Sequence, residues 1–174
     1  MSLIALRHTT PDVAPGTCYG RTDLSLADSF EAEFAALLPG LPDAARIVSS
    51  PLARCHILAG RIAERRAQQV EIDPRLIEMV FGAWEGLDWS DIPRAELDAW
   101  AADFLHARPH GGESVAQLRD RVGSILSDLR ADGRTHLLVT HSGVVKAALA
   151  TGDRAEDYAA SLGFGEWIHL PRAA

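Results

Sequence analysis

Lysine is almost missing from this 174-residue chain: sixteen of its seventeen basic residues are arginine, and only Lys146 is lysine. Cysteine is scarce too. Cys18 and Cys55 stand alone, and two cysteines without C-x-x-C spacing make neither a zinc site nor a disulfide framework. They read as ordinary small residues. No apolar run approaches the ~20 residues that cross a bilayer, so no membrane partner is expected. The opening residues, Met1 to Leu6, lack a basic segment followed by a long apolar one. They do not read as a secretory signal, and the expected location is the cytoplasm. An excess of positive charge is absent as well. The formal net charge of −7 argues against a nucleic-acid partner, which needs a basic face. It does not argue against a small anionic substrate. Arginine presents a planar fork that matches phosphate oxygens two at a time, so the positions of the arginines matter more than their number.

Apolar residues make up 47% of the chain and charged residues 24%, the proportions of a soluble globular protein. The length suits one ordinary domain over 1–174. Leu3-Ile4-Ala5-Leu6 is a continuous apolar run of the kind a buried parallel strand shows. Residues 9–26 carry Pro and Gly without a period and read as a long loop. Phe30, Phe34, Leu37 and Leu38 recur at helical spacing before Pro39-Gly40. Residues 46–50 read as a second strand. Ser50-Pro51 reads as a helix start, with Ser as the cap and Pro in the first helical position, and the helix runs to about Gln68. Residues 70–72, 136–140 and 166–170 read as further strands, and 93–105, 115–129 and 142–149 as helices. Strands alternating with helices predict an α/β fold. Its mainly parallel central sheet is covered on both faces, a three-layer α/β/α sandwich.

In open α/β sheets, sites form at the carboxyl ends of strands. Three strand ends here carry reactive groups: Arg7-His8, then Ser49-Ser50-Pro51 with Arg54 just beyond, then Thr140-His141-Ser142-Gly143. One crevice would collect two arginines and two histidines beside two helix N-termini, which favour a phosphate. No Asp/His cluster has metal spacing, so no metal and no cofactor is expected. His56, His106, His110, His136 and His169 lack comparable partners and read as structural or surface groups. His110 alone among them lies close enough to Gly111-Gly112 to reach substrate.

This ordered set resembles the histidine phosphatase superfamily, whose fold is phosphoglycerate-mutase-like. The resemblance is carried by Arg7-His8, by Ser49-Ser50-Pro51-Leu52-Ala53-Arg54 and by Thr140-His141-Ser142-Gly143. Arg75-Leu76-Ile77-Glu78 with Phe81-Gly82-Ala83-Trp84-Glu85-Gly86 is similar to the family's acid-bearing segment. Gly111-Gly112-Glu113-Ser114 is similar to a later signature. The resemblance implies that His8 is the nucleophile and that Arg7 and Arg54 hold the phosphate. It implies a further donor in His141 and a proton donor in Glu78; Glu85 and Glu113 stand as the next candidates should Glu78 not be the acid. Arg and protonated His would stabilise the charge spread over the equatorial oxygens. One departure stands out: the family's first motif usually reads Arg-His-Gly, and Thr9 occupies the third place. Its side chain would narrow the pocket or give a hydroxyl to the phosphate.

Cys18-Tyr19-Gly20-Arg21-Thr22-Asp23-Leu24-Ser25-Leu26 resembles a loop of α-ribazole phosphatases, as do Trp84-Glu85-Gly86 and the segment from Trp89 to Trp100. The resemblance implies phosphate contact from Arg21 and substrate contacts from Tyr19, Gly20, Thr9 and Ser142. The implied reaction is hydrolysis of α-ribazole 5′-phosphate. Competing expectations are a broad sugar-phosphate or nucleotide phosphatase, a phosphoglycerate mutase, and an inactive phosphate-binding domain. The expected partner is a small phosphomonoester, and a homodimer is compatible with the sequence.

Overall fold

Continuous apolar runs form strands here because they are buried on both faces. A computed structural model describes residues 2–171. The strands are β1 (Leu3–Arg7), β2 (Arg46–Ser49), β3 (Val70–Ile72), β4 (His136–Thr140) and β5 (Trp167–Leu170). They make one sheet in the order β3-β2-β4-β1-β5. The pairs β1/β4, β2/β4 and β2/β3 are parallel, while β5 runs antiparallel along β1.

Alternation along β1 divides the core. Ile4 and Leu6 face one side, together with Ile47, Leu137 and Val139. On that side pack α1 (Phe30–Leu37) and α2 (Ala53–Arg66), through Phe34, Leu58 and Ile62. Leu3 and Ala5 face the other side with Val48 and Leu138. There α4 (Val115–Ala131) and α5 (Ser142–Leu149) pack through Leu118, Val122, Ile125 and Val144. The remaining helix, α3 (Arg94–Ala102), brings Trp100 against a smaller cluster of Cys18, Trp84 and Ile92. The result is the expected three-layer α/β/α arrangement. Among the described residues no helix is long and apolar enough to cross a membrane.

One local expectation is corrected. The second helix does not begin at Ser50-Pro51. It begins at Ala53, with Leu52 extended before it. Ser50 instead accepts the Leu52 N–H at 3.3 Å. The first helical N–H, that of Ala53, is taken by Asp23 from the long loop at 2.8 Å. A cap supplied from thirty residues away leaves no local signal.

Candidate active site

The strand order decides what meets at the carboxyl edge. Arg7 is in register with Thr140, and Ser49 with Val139. His8, Ser50 and His141 therefore emerge side by side. The rings of His8 and His141 lie 5.2 Å apart, nearly edge to face. Ser50 Oγ is 2.8 Å from His141 Nε2 and fixes that ring.

His8 Nδ1 lies 2.7 Å from the carbonyl of Thr9. A carbonyl only accepts, so Nδ1 carries the hydrogen and Nε2 keeps its lone pair. Burial lowers the His8 pKa from 6.5 to about 3, with the charges of Arg54 and Arg7 adding to it and the Thr9 bond opposing it. The imidazole is therefore neutral near pH 7, the form that attacks phosphorus without first losing a proton. His141 is also held well below the usual histidine range, first by burial and then by Arg54 and His8. With both rings neutral, the positive charge of the site resides on the arginines.

These two histidines give the fold an acid limit. Their folded values lie below the unfolded value of 6.5, so the unfolded chain binds protons first as pH drops. The stability they contribute is complete above about 6.5 and is lost as pH falls toward the folded values. The denaturant midpoint should drop between neutral pH and about pH 5, and should drop less in His8→Asn. Equal slopes in the two proteins would show that His8 is not the group being charged.

Arg7 and Arg54 keep donors in reserve. Arg54 is fully buried and gives one N–H to the Thr22 carbonyl and one to the Gly20 carbonyl, each at 2.7 Å. A guanidinium has five N–H groups, so three remain. Arg7 gives one to the Leu162 carbonyl at 2.7 Å and stacks on Phe164 at 3.8 Å. The Nε of each arginine is buried without a partner among the described residues. Buried unpaired donors are rare unless something fills them, and the acceptor-rich group that fits two guanidinium edges is a phosphate. The helix N-termini contribute less than expected, because the first N–H of α2 goes to Asp23 and that of Gly143 to Glu78.

Glu78 is 8% exposed. Its carboxylate accepts the Met79 N–H at 2.8 Å and the Gly143 N–H at 3.1 Å. Burial raises its pKa above the ordinary value, against the pull of those two bonds and of Arg54 and Arg121. A carboxyl displaced upward gives up its proton less readily than a free one, the direction a general acid needs. The Glu78 carboxylate occupies the space a Cβ on Gly143 would need. Gly143→Ala should therefore push Glu78 aside and lower turnover of alkyl phosphates roughly 10- to 100-fold, with the melting temperature little changed. Unaltered activity would show that the Glu78 position is not critical.

The two fallback acids serve other ends. Glu85 accepts the Arg21, Thr22 and Phe81 N–H groups and ties the long loop to the acid segment. Gly20 sits at φ +38°, where a Cβ would run into Glu85, so glycine is required there. Glu113 pairs with Arg121 at 2.7 Å. Arg121 in turn donates to the carbonyls of Arg75 and Glu78 at 2.6 and 3.2 Å. Arg121 and Phe164 are site residues that the sequence did not mark, and Ser50, read there as a helix cap, supports the His141 ring. Nothing in local pattern distinguishes Arg121 and Phe164 from other helix and loop residues.

Beside these groups opens a cavity of about 560 Å³, lined by Arg7, Tyr19, Gly20, Glu78, Ser142 and Gly143 toward the chemistry. Phe81, Trp89, Trp100, Phe104 and Tyr158 form much of the remaining wall, with Lys146 among them. Tyr19, Gly20 and Ser142 thus fall where expected, and Tyr19 lies 5.1 Å over the Arg54 guanidinium. Arg21 does not line the cavity. It is exposed, and only its backbone N–H is tied down, by Glu85. Thr9 is fully buried outside the lining, with its methyl toward Gly165. Its main contribution is the carbonyl on His8, which glycine supplies equally, so the departure from Arg-His-Gly leaves the motif's geometry intact. His110 is also buried, accepting the Gly112 N–H at 2.9 Å. Among the described residues no group of three or more His, Cys, Asp or Glu is placed to hold a metal.

A neutral imidazole beside guanidinium groups, with a buried carboxyl close by, equips an α/β protein for phosphoryl transfer. The sequence model of the histidine phosphatase superfamily (branch 1) matches residues 3–159, and the chain belongs to that superfamily. It is a phosphoric monoester hydrolase by that membership and by its named relatives. The glucosyl-3-phosphoglycerate phosphatase of Mycobacterium tuberculosis is 33% identical over 85% of this chain and 73% of its own length. An adenosylcobalamin/α-ribazole phosphatase of Salmonella typhimurium is 33% identical over 60% of this chain and 54% of its own. The α-ribazole phosphatase of Shigella flexneri superposes with a TM-score of 0.83 at 25% identity, over 97% of this chain and 89% of that one.

Proposed function

We propose that the chain hydrolyses small ring-bearing phosphomonoesters through a phosphohistidine on His8. The observation that carries this reading is the free His8 Nε2 beside two guanidinium groups, each with a buried Nε that has no partner among the described residues. Nε2 attacks phosphorus. The P–N bond forms as the P–O bond to the organic portion breaks, and Glu78 gives its proton to the departing oxygen. Arg7, Arg54 and His141 hold the three equatorial oxygens as charge spreads over them. Glu78, now a carboxylate, takes a proton from a water that attacks phosphorus. The P–N bond breaks, and inorganic phosphate leaves.

Two organic portions fit the cavity. The loop from Cys18 to Leu26 supports α-ribazole 5′-phosphate, whose flat base suits the aromatic wall. The longer match to the mycobacterial relatives supports glucosyl-3-phosphoglycerate, whose sugar ring suits the same wall. Phosphate release from these two, from glucose 6-phosphate and from 3-phosphoglycerate decides between them. One substrate turned over at least about tenfold faster than the rest identifies a dedicated enzyme. Even rates point to a broad phosphatase, and conversion of 3-phosphoglycerate to its isomer without phosphate release points to a mutase.

A further inference from the structure

The one lysine of the chain lies in the cavity wall. We propose that Lys146 selects substrates by binding a second anionic group, a carboxylate carried on the organic portion of the phosphomonoester. This rests on the phosphatase reading and narrows it.

Lys146 takes part in none of the ion pairs among the described residues, where eight arginines find a carboxylate. In the cavity wall Lys146 and Arg7 are the cations, and Arg7 is engaged with the Leu162 carbonyl and Phe164. Its place on α5 gives it a direction. It follows Ser142 by four residues and Gly143 by three, so all three share one helix face. The rise between Gly143 and Lys146 is about 4.5 Å. Long helical side chains lean toward the N-terminus of their helix, here the end where Gly143 meets Glu78. An anion bound there lies a few bonds from the transferred phosphorus.

Trp100 stands in the same wall. The Trp100 indole Nε1 is buried without a partner among the described residues. Indole and ammonium nitrogens donate and cannot accept. The ligand that satisfies an ammonium is an acceptor, which a carboxylate is. The apolar wall of Phe81, Trp89 and Phe104 lowers the local dielectric and strengthens the attraction. Phosphorylated hydroxy acids carry such a group. Of the two named substrates, glucosyl-3-phosphoglycerate carries a carboxylate, and α-ribazole 5′-phosphate offers no second anion.

The test compares kcat/KM for 3-phosphoglycerate and glycerol 3-phosphate, matched esters with and without the carboxylate, with p-nitrophenyl phosphate as a general phosphatase substrate. The wild-type protein should favour the acid. Lys146→Met should reduce that preference about tenfold, mostly through KM, and Lys146→Arg should keep most of it. D-glycerate should inhibit the wild-type protein competitively and the Met variant much less. A wild-type protein that prefers the neutral ester, or a Met variant with an unchanged preference, overturns the proposal. Hydrolysis of p-nitrophenyl phosphate in either case leaves the phosphatase reading standing. Failure to hydrolyse any of the three overturns both.

Discussion

Replacing His8 with Ala is expected to cut turnover by on the order of 10,000-fold or more, with the fold retained. Loss of a covalent nucleophile removes the whole two-step route, and residual rates then come from binding alone. His8 is suited to the part by three separate circumstances. Its Nδ1 hydrogen is fixed on the Thr9 carbonyl, its charged form is suppressed by burial, and Arg7 and Arg54 flank it. The size of the loss does not identify the intermediate, because other variants also lose activity. Quenching with 32P-labelled substrate at alkaline pH does, since phosphohistidine survives there and acyl phosphates do not. The wild-type protein should retain label, and His8→Ala should not. Label on the Ala variant, or on a serine or aspartate, would assign the nucleophile elsewhere.

The second large effect should depend on the leaving group. Glu78→Gln keeps the shape and one of the two backbone hydrogen bonds, since its amide nitrogen cannot accept, and it has no proton to transfer. General acid catalysis contributes about 100- to 10,000-fold, and an alkoxide needs all of it. A p-nitrophenolate leaves without help. The variant should therefore lose far more activity on an alkyl phosphate than on p-nitrophenyl phosphate. The raised pKa adds a pH signature. Alkyl-phosphate turnover in the wild-type protein should fall as pH rises through the Glu78 value, because the acid is then spent. Equal losses on the two substrates would make Glu78 a phosphate-positioning group. Glu85 and Glu113 would not replace it, since both are committed to loop and arginine contacts.

The sequence reveals what is local. Buried parallel strands are continuous apolar runs, and 3–6 and 136–140 announce themselves as such. The reactive groups stand immediately after those runs, so their convergence follows from strand adjacency alone. What escapes is whatever depends on distant partners. Asp23 caps α2, Ser50 turns from cap to ring support, and Arg121 braces the Glu78 backbone, all across long sequence separations. Arg21 shows the reverse error. Its loop is in place at the cavity, but the turn at Gly20 carries the side chain of the next residue outward.

Arg54 has two employments. It fastens the long loop through the Gly20 and Thr22 carbonyls, and it faces the phosphate with what is left. Because the fastening uses backbone atoms, the side chains along the loop's inner surface are free to change without loosening it. Selectivity can drift from one relative to another by substitution at cavity-lining positions of the loop such as Thr17, while the chemistry below stays constant. The same economy forbids a shortcut. A lineage cannot discard the arginine after losing its substrate without also releasing the loop, so a decayed member of this branch would lose order at its cavity rim along with its catalytic power.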